Sequence, residues 1–418
     1  MPDGGNRSAV LIFSGAHFLV DLACIFLETA FLMPAAENRA AWFWCVLVYN
    51  FFAFACQLPV GMYGDRQRRP WLLSGAGCFL VAGAYGLTQA AYFLTASSTL
   101  PSAAKQLPTL FLLIVSAAAG IGNSCFHVGG GIDSLNRSAG NAARPGIFVS
   151  TGAVGVFLGP VLAAKSAARA AGLLSGFAVM FLCGWALFAG QRFLEDSGRL
   201  TGPRRTMYEL LKDNRGEFVY DRGVPGSRIT FSGARTLAGY EEKGKRGSTG
   251  KPAVSAKAAV LCLSAAVMFR SYAGTIMGFG WKKGTAALLF TAGIVLGKML
   301  GGVIGDRIGW TGAAAGSLAL SGGLFLLAEH RPLFGILAVF IFNMTMPLTL
   351  SALARILRGE PGTAFGLTTF ALFLGTLPSM AEAAGRGSAG GIGLLPAVCA
   401  VSIALMVTGL KGAGAEKM

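Results

Sequence analysis

The chain has 418 residues, 54% of them hydrophobic and only 13% charged, with a mean hydropathy of +0.60. Soluble domains carry about twice that share of charge, so the composition excludes an ordinary soluble enzyme, a disordered chain and a disulfide scaffold. The net charge of +16 does not point to nucleic acid, because 14 of the basic residues, mixed with 8 acidic ones, fall in one stretch, Arg192–Lys257, and most others flank apolar runs.

Apolar runs of about 20 residues, enough to cross a bilayer, occupy 10–33, 41–63, 71–95, 108–132, 146–166 and 170–191. Six more follow at 257–277, 284–304, 310–328, 332–352, 363–384 and 389–410. The first is too long for the apolar core of a signal peptide, and no small-residue cleavage site follows it. Residues 192–256 mix Gly, Ser, Pro and both charge signs, which suits a flexible basic linker drawn to anionic headgroups, with one short helix predicted over Arg205–Asn214. The 60 glycines show no G-X-Y period and suit close helix crossings in lipid. Lys and Arg in the short loops outnumber those opposite on the side that would hold both termini. Trp42, Trp44 and Trp281 fall at outer ends and Trp71 and Trp310 at inner ends, as interfacial anchors do.

The expectation is an all-α, multi-pass protein of the cell (inner or plasma) membrane with twelve transmembrane helices and cytoplasmic termini. Residues 1–191 form an N-terminal six-helix bundle, 192–256 a cytoplasmic linker and 257–418 a C-terminal six-helix bundle. The eight cysteines all lie inside apolar segments without CxxC spacing, and they read as small buried hydrophobes. No metal or cofactor is expected. Gly129-Gly130-Gly131 lacks the GxxxxGK[ST] context of a phosphate loop and reads as a gate hinge or a close helix crossing, with Asp133 in the loop that follows. No nucleophile–base motif suggests an enzyme.

One motif recurs. Gly61-Met-Tyr-Gly64-Asp65-Arg66 ends the second span, and Gly302-Val-Ile-Gly305-Asp306-Arg307 ends the eighth. The same motif at the same place in each half marks parallel repeats, an arrangement in which transporters bind substrate near the midplane between halves. With Arg68 and Arg69, the first copy resembles the loop signature of the major facilitator superfamily, which implies an inter-domain charge latch of Gly61, Asp65, Arg66, Arg69, Gly302, Asp306 and Arg307. Gly152, Gly155, Gly159 and Pro160 in the fifth span resemble that superfamily's antiporter motif. Within the superfamily, the chain is most similar to the fosmidomycin-resistance type of exporter. The matching stretches are His17-x-x-x-Asp21, Gln57-Leu-Pro-Val-Gly61, Gly120-x-Gly122-x-x-x-Phe126-His127 and Gly152 to Pro160.

Ionisable groups within spans are costly and mark function by default. His17, Asp21, Cys24 and Glu28 are spaced to lie on one stripe of the first helix. Asn123 and His127 share a face of the fourth at similar depth, and the resemblance implies that these two helices line a central cavity. Arg270 and Asn343 sit mid-span in their repeat partners, helices seven and ten. Asp21 is expected to face Arg270, either loading a proton or in a static ion pair. Asp21, His17, Glu28 and His127 are the proton-coupling candidates, and Arg270, Asn123, Asn343 and Gln57 the substrate-binding ones. Glu28 could instead simply reach water, and Lys298 reads as a snorkelling or latch residue.

The reading is proton-coupled export (antiport) of a small organic solute, anionic or zwitterionic, by a monomer. An importer or uniporter of a polar metabolite, or a non-transporting sensor or assembly factor, stays open.

Overall fold

A computed structural model describes residues 4–66, 70–97, 107–138, 140–165, 169–196, 218–221, 228–231 and 254–413. Helices follow the apolar runs because lipid supplies no partners for backbone N–H and C=O groups, so each segment must satisfy its own. In chain order they are α1 (Ser8–Ala35), α2 (Arg39–Gly64), α3 (Pro70–Ser97), α4 (Thr109–Arg137), α5 (Ala143–Lys165) and α6 (Arg169–Asp196). After the linker come α7 (Ala256–Ile276), α8 (Gly284–Ile308), α9 (Trp310–Phe325), α10 (Pro332–Ile356), α11 (Pro361–Ala383) and α12 (Leu395–Gly412). Starts carry local signals: Asn38 Oδ1 accepts the Ala41 N–H at 2.9 Å, Ser255 Oγ that of Ala258 at 3.2 Å, and Pro332 and Pro361 open α10 and α11.

Eleven of these helices are long and apolar enough to cross a bilayer. The exception is α9, whose 16 residues rise about 24 Å, and the expected span at 310–328 ends instead in a turn over 326–330. Glycine fixes its start: Gly309, at φ +93°, is the only residue between α8 and α9.

Two further departures concern backbone detail. A π-turn over Glu28–Leu32 lies within α1 and another over Phe51–Ala55 within α2. In the linker, β1 (Phe218–Asp221) and β2 (Arg228–Phe231) pair antiparallel, Phe218 opposite Phe231 and Asp221 opposite Arg228. Both strands are rich in aromatic and β-branched residues, which suit a pleated pair. The predicted helix at Arg205–Asn214 lies outside the described residues.

Large apolar side chains face outward along the helices, including Leu261 at 70% exposure and Trp185 at 60%. In water they would be a liability; in lipid this is the solvated face. Buried residues form two clusters, one mainly from α1–α6 and one mainly from α7–α12. Each reaches across the seam, the first taking in Leu350 and Phe365 and the second Ala142. The seam itself is α2 against α11 and α5 against α8.

The glycine triplet is a crossing point, because α4 continues unbroken through it to Arg137. A side chain at Gly129 would strike Ser74 and Pro70 of α3, one at Gly130 Phe148 of α5, and one at Gly131 Phe365 of α11. Asp133 is therefore helical, not in the following loop, and holds Arg137 one turn on at 2.7 and 3.0 Å.

Candidate functional site

The stripe on α1 and the polar face of α4 meet inside the N-terminal half. His17 Nδ1 lies 2.7 Å from the Phe148 carbonyl oxygen, and His127 Nδ1 lies 2.8 Å from that of Asn123. A carbonyl can only accept, so both Nδ1 atoms carry hydrogen and donate. That leaves the two Nε2 atoms pointing at each other, 2.8 Å apart. With both rings neutral, two lone pairs would face at hydrogen-bond distance, so the contact requires one proton held between them. Asp21 supplies the countercharge, with Oδ2 3.2 Å from His17 Nε2 and Oδ1 3.4 Å from His127 Nε2. Asn123 Nδ2 donates to Asp21 Oδ1 at 3.0 Å. All four residues are buried or nearly so, walled by the rings of Phe126 and Phe148.

Two imidazoles and a carboxylate also form a metal-ligand set, their nearest atoms lying within 4.8 Å of one another. Geometry favours the proton. Two nitrogens bound tetrahedrally at about 2.0–2.1 Å from zinc stand roughly 3.3–3.4 Å apart, wider than the 2.8 Å found here.

The glycines of α5 make this packing possible. A Cβ on Gly152 would occupy the place of Asp21 Oδ2 and His17 Nε2; one on Gly155 would meet the Phe18 carbonyl, and one on Gly159 Ile25 and the Phe26 amide. These three line a groove for α1, while Pro160 stands inside the helix. The repeated small residues thus set how close α5 comes to the ionisable stripe.

Several expected partners are elsewhere. Arg270 does not pair with Asp21, whose partners are the two imidazoles and Asn123. It turns into the C-terminal half, where Nη1 donates to Thr349 Oγ1 of α10 at 3.4 Å. Glu28 does not reach water: it is 4% exposed, inside the π-turn of α1, and neither carboxyl oxygen has a hydrogen-bond partner. Gln57 is fully buried at the α2–α11 seam, donating to Ala53 O of its own helix, with Gly366 against its backbone. Asn343 donates to Val339 O of its own helix at 2.8 Å. Lys298, expected near the latch, crosses the seam instead: its Nζ lies 3.5 Å from the Val149 carbonyl of α5, one turn before Gly152.

The repeated motif works differently from the expected charge latch. Asp65, at the end of α2, accepts from the Gly362 and Thr363 amides and from Thr363 Oγ1, at 2.6, 2.7 and 2.7 Å. Asp306, at the end of α8, accepts from the Ala142 and Ala143 amides at 2.9–3.0 Å and from Trp310 Nε1 at 2.9 Å. Each carboxylate thus caps the first turn of a helix in the opposite half, α11 and α5 respectively, where free amides and the helix dipole favour an anion. Gly61 and Gly302 lie backbone to backbone with Gly362 and Ala142, leaving no room for a Cβ. Arg66 and Arg307 are exposed, and Arg69 lies outside the described residues. Arg355 braces the same end, donating to Gly140 O at 2.6 Å while its guanidinium lies 3.8 Å from the Trp310 ring centre. The sequence reading missed Thr363, Ala142 and the Phe148 carbonyl; a Pro-Gly-Thr helix start was the signal available for the first.

No protein-family profile and no curated protein sequence matches the chain. Solved structures do. The human organic anion transporter MFSD10 (TETRAN) is similar at a TM-score of 0.61 and 13% identity, over 96% of this chain and 99% of that one. A variant of the Escherichia coli fucose:proton symporter FucP gives 0.57 and 13%, over 96% and 98%. The proton:xylose symporter XylE, solved with 6-bromo-6-deoxy-D-glucose, gives 0.56 and 15%, over 97% and 96%. The chain has the fold of the major facilitator superfamily transporters.

Proposed function

We propose that this protein belongs to the major facilitator superfamily and is a secondary active transporter that exports a small organic solute in exchange for protons. It works as a monomer in the cell membrane by alternating access between residues 1–191 and 257–418, with both termini and the 192–256 linker in the cytoplasm. The observation that carries the reading is the proton that His17 and His127 must share beside Asp21, among apolar rings inside the membrane span. A proton so placed can leave only if the carboxylate or the imidazoles exchange it with an opened cavity, which ties proton release to movement of the halves. The latch supports the reading, since breaking both caps would open the side on which they lie. Resemblance to fosmidomycin-resistance exporters supports outward transport and a small anionic or zwitterionic cargo, with Asn123, Gln57 and Asn343 as candidate contacts once the halves part, whereas Arg270 turns away into the C-terminal half.

The test compares metabolites inside and outside cells expressing the wild type or Asp21→Asn. A solute that the wild type concentrates outside, and the variant does not, is the expected result. Equal distributions in the two strains would overturn the assignment. Two of the similar structures are proton symporters by name, which favours proton-coupled uptake as the second reading; a solute concentrated inside by the wild type would establish it.

A further inference from the structure

The C-terminal half contains a buried cation for which the transport reading has no counterion. Arg270 is 8% exposed. Among the described residues no carboxylate lies within ion-pair distance of it; its single hydrogen bond is the long one to Thr349, and Nη2 has no partner. Lys298 adds a second positive charge within electrostatic reach, and the carboxylate that acts on Lys298 is Asp21, already engaged by two imidazoles.

Arg270 lines a small cavity between α7, α9, α10 and α12, with Thr345, Thr349, Ser402 and Met406 among its walls. The charge around it is one-sided, because the wall holds hydroxyls but no carboxylate. The Thr349 hydroxyl gives its proton to Thr345 O at 2.6 Å, and the Thr345 hydroxyl gives its own to Phe342 O at 3.0 Å. The groups left over are Arg270 Nη2 and the Ser402 hydroxyl, both buried and unpartnered. Each can donate, and the acceptors the wall offers are neutral hydroxyl oxygens and the Met406 sulfur, with no carboxylate among them. The remaining lining, Ala266, Leu318, Phe342 and Met406, is apolar, so the charge has no wall group to offset it.

We propose that this cavity binds a small inorganic monovalent anion, chloride in size, held by Arg270 Nη2 and the Ser402 hydroxyl. Two donors and a full positive charge in a space of about one water molecule exclude a bulky organic acid. A water alone would satisfy the donors but leave the charge. Met406, unbranched and deformable, lets the wall fit a slightly larger halide. The site lies inside one half, so occupancy fixes α7, α10 and α12 relative to one another whichever way the transporter faces.

The test uses the purified full chain in detergent, its thermal unfolding followed as sodium chloride or bromide replaces sodium gluconate at constant ionic strength. Saturable stabilisation by both halides, on the order of 5 °C, is expected for the wild type and absent in Arg270→Gln. Identical curves in chloride and gluconate would mean that water fills the cavity and would overturn the proposal. Should Arg270→Gln fail to fold, Ser402→Ala serves: loss of one charge-assisted bond should raise the half-saturating chloride concentration about tenfold. An unchanged value would place the anion elsewhere and equally reject the site. The readout involves neither protons nor cargo, so it is independent of the transport assignment.

Discussion

Gly152 shows how a residue without a side chain serves the site. Its missing Cβ is the space in which Asp21 Oδ2 and His17 Nε2 meet. Gly152→Ala should cost about 1–3 kcal/mol through overpacking and abolish transport, read by thermal unfolding and by flux in vesicles. Gly83→Ala in α3, where nothing lies within 4 Å, is the control and should be neutral or slightly stabilising. Equal effects of the two would mean that the contact with Asp21 does not matter. At this scale the sequence was legible where helical spacing decides: His17 with Asp21, and Asn123 with His127, fall on single faces by arithmetic alone. It was illegible where the rotation of a helix decides. Arg270 is as central in α7 as Asp21 is in α1, but packing turns it toward Thr349, and spacing within α7 carries no information about that rotation.

Among elements, the seam depends on helix starts. Removing either latch carboxylate leaves first-turn amides without their acceptor, a loss of about 1–2 kcal/mol by analogy with N-caps. Asp65→Ala combined with Asp306→Ala should therefore shift the halves apart on that side. Spin labels at Tyr63 and Arg358, both exposed or partly so, would report a longer distance distribution than in the parent; an unchanged distribution would show that the seam is held by packing alone. Eleven spans could be read from hydropathy because lipid enforces long apolar helices, while the expected span at 310–328 proved shorter as α9. The π-turns could not, because each changes hydrogen-bond register without changing composition, and β1 and β2 are too short to stand out from the polar stretch around them.

For the whole molecule, the described contacts that join the halves run between helices. The halves meet through α2 with α11 and α5 with α8, and their buried clusters interleave at Leu350, Phe365 and Ala142. Residues 1–196 and 254–418 expressed as separate chains should therefore copurify and recover a large part of the activity. Failure to associate would show that the covalent connection, rather than the seam, holds the halves in register.

The crossed capping has an evolutionary reading. Within each half, one patch presents an aspartate at the end of its second helix and a helix start at its fifth, and it accepts the same pair from the other half in return. A surface that gives and receives the same contact is isologous, the kind by which identical subunits close a two-fold dimer. A single six-helix ancestor with that patch would already have matched a copy of itself. Residues 192–256 would then join in one chain two copies that such symmetry had already matched.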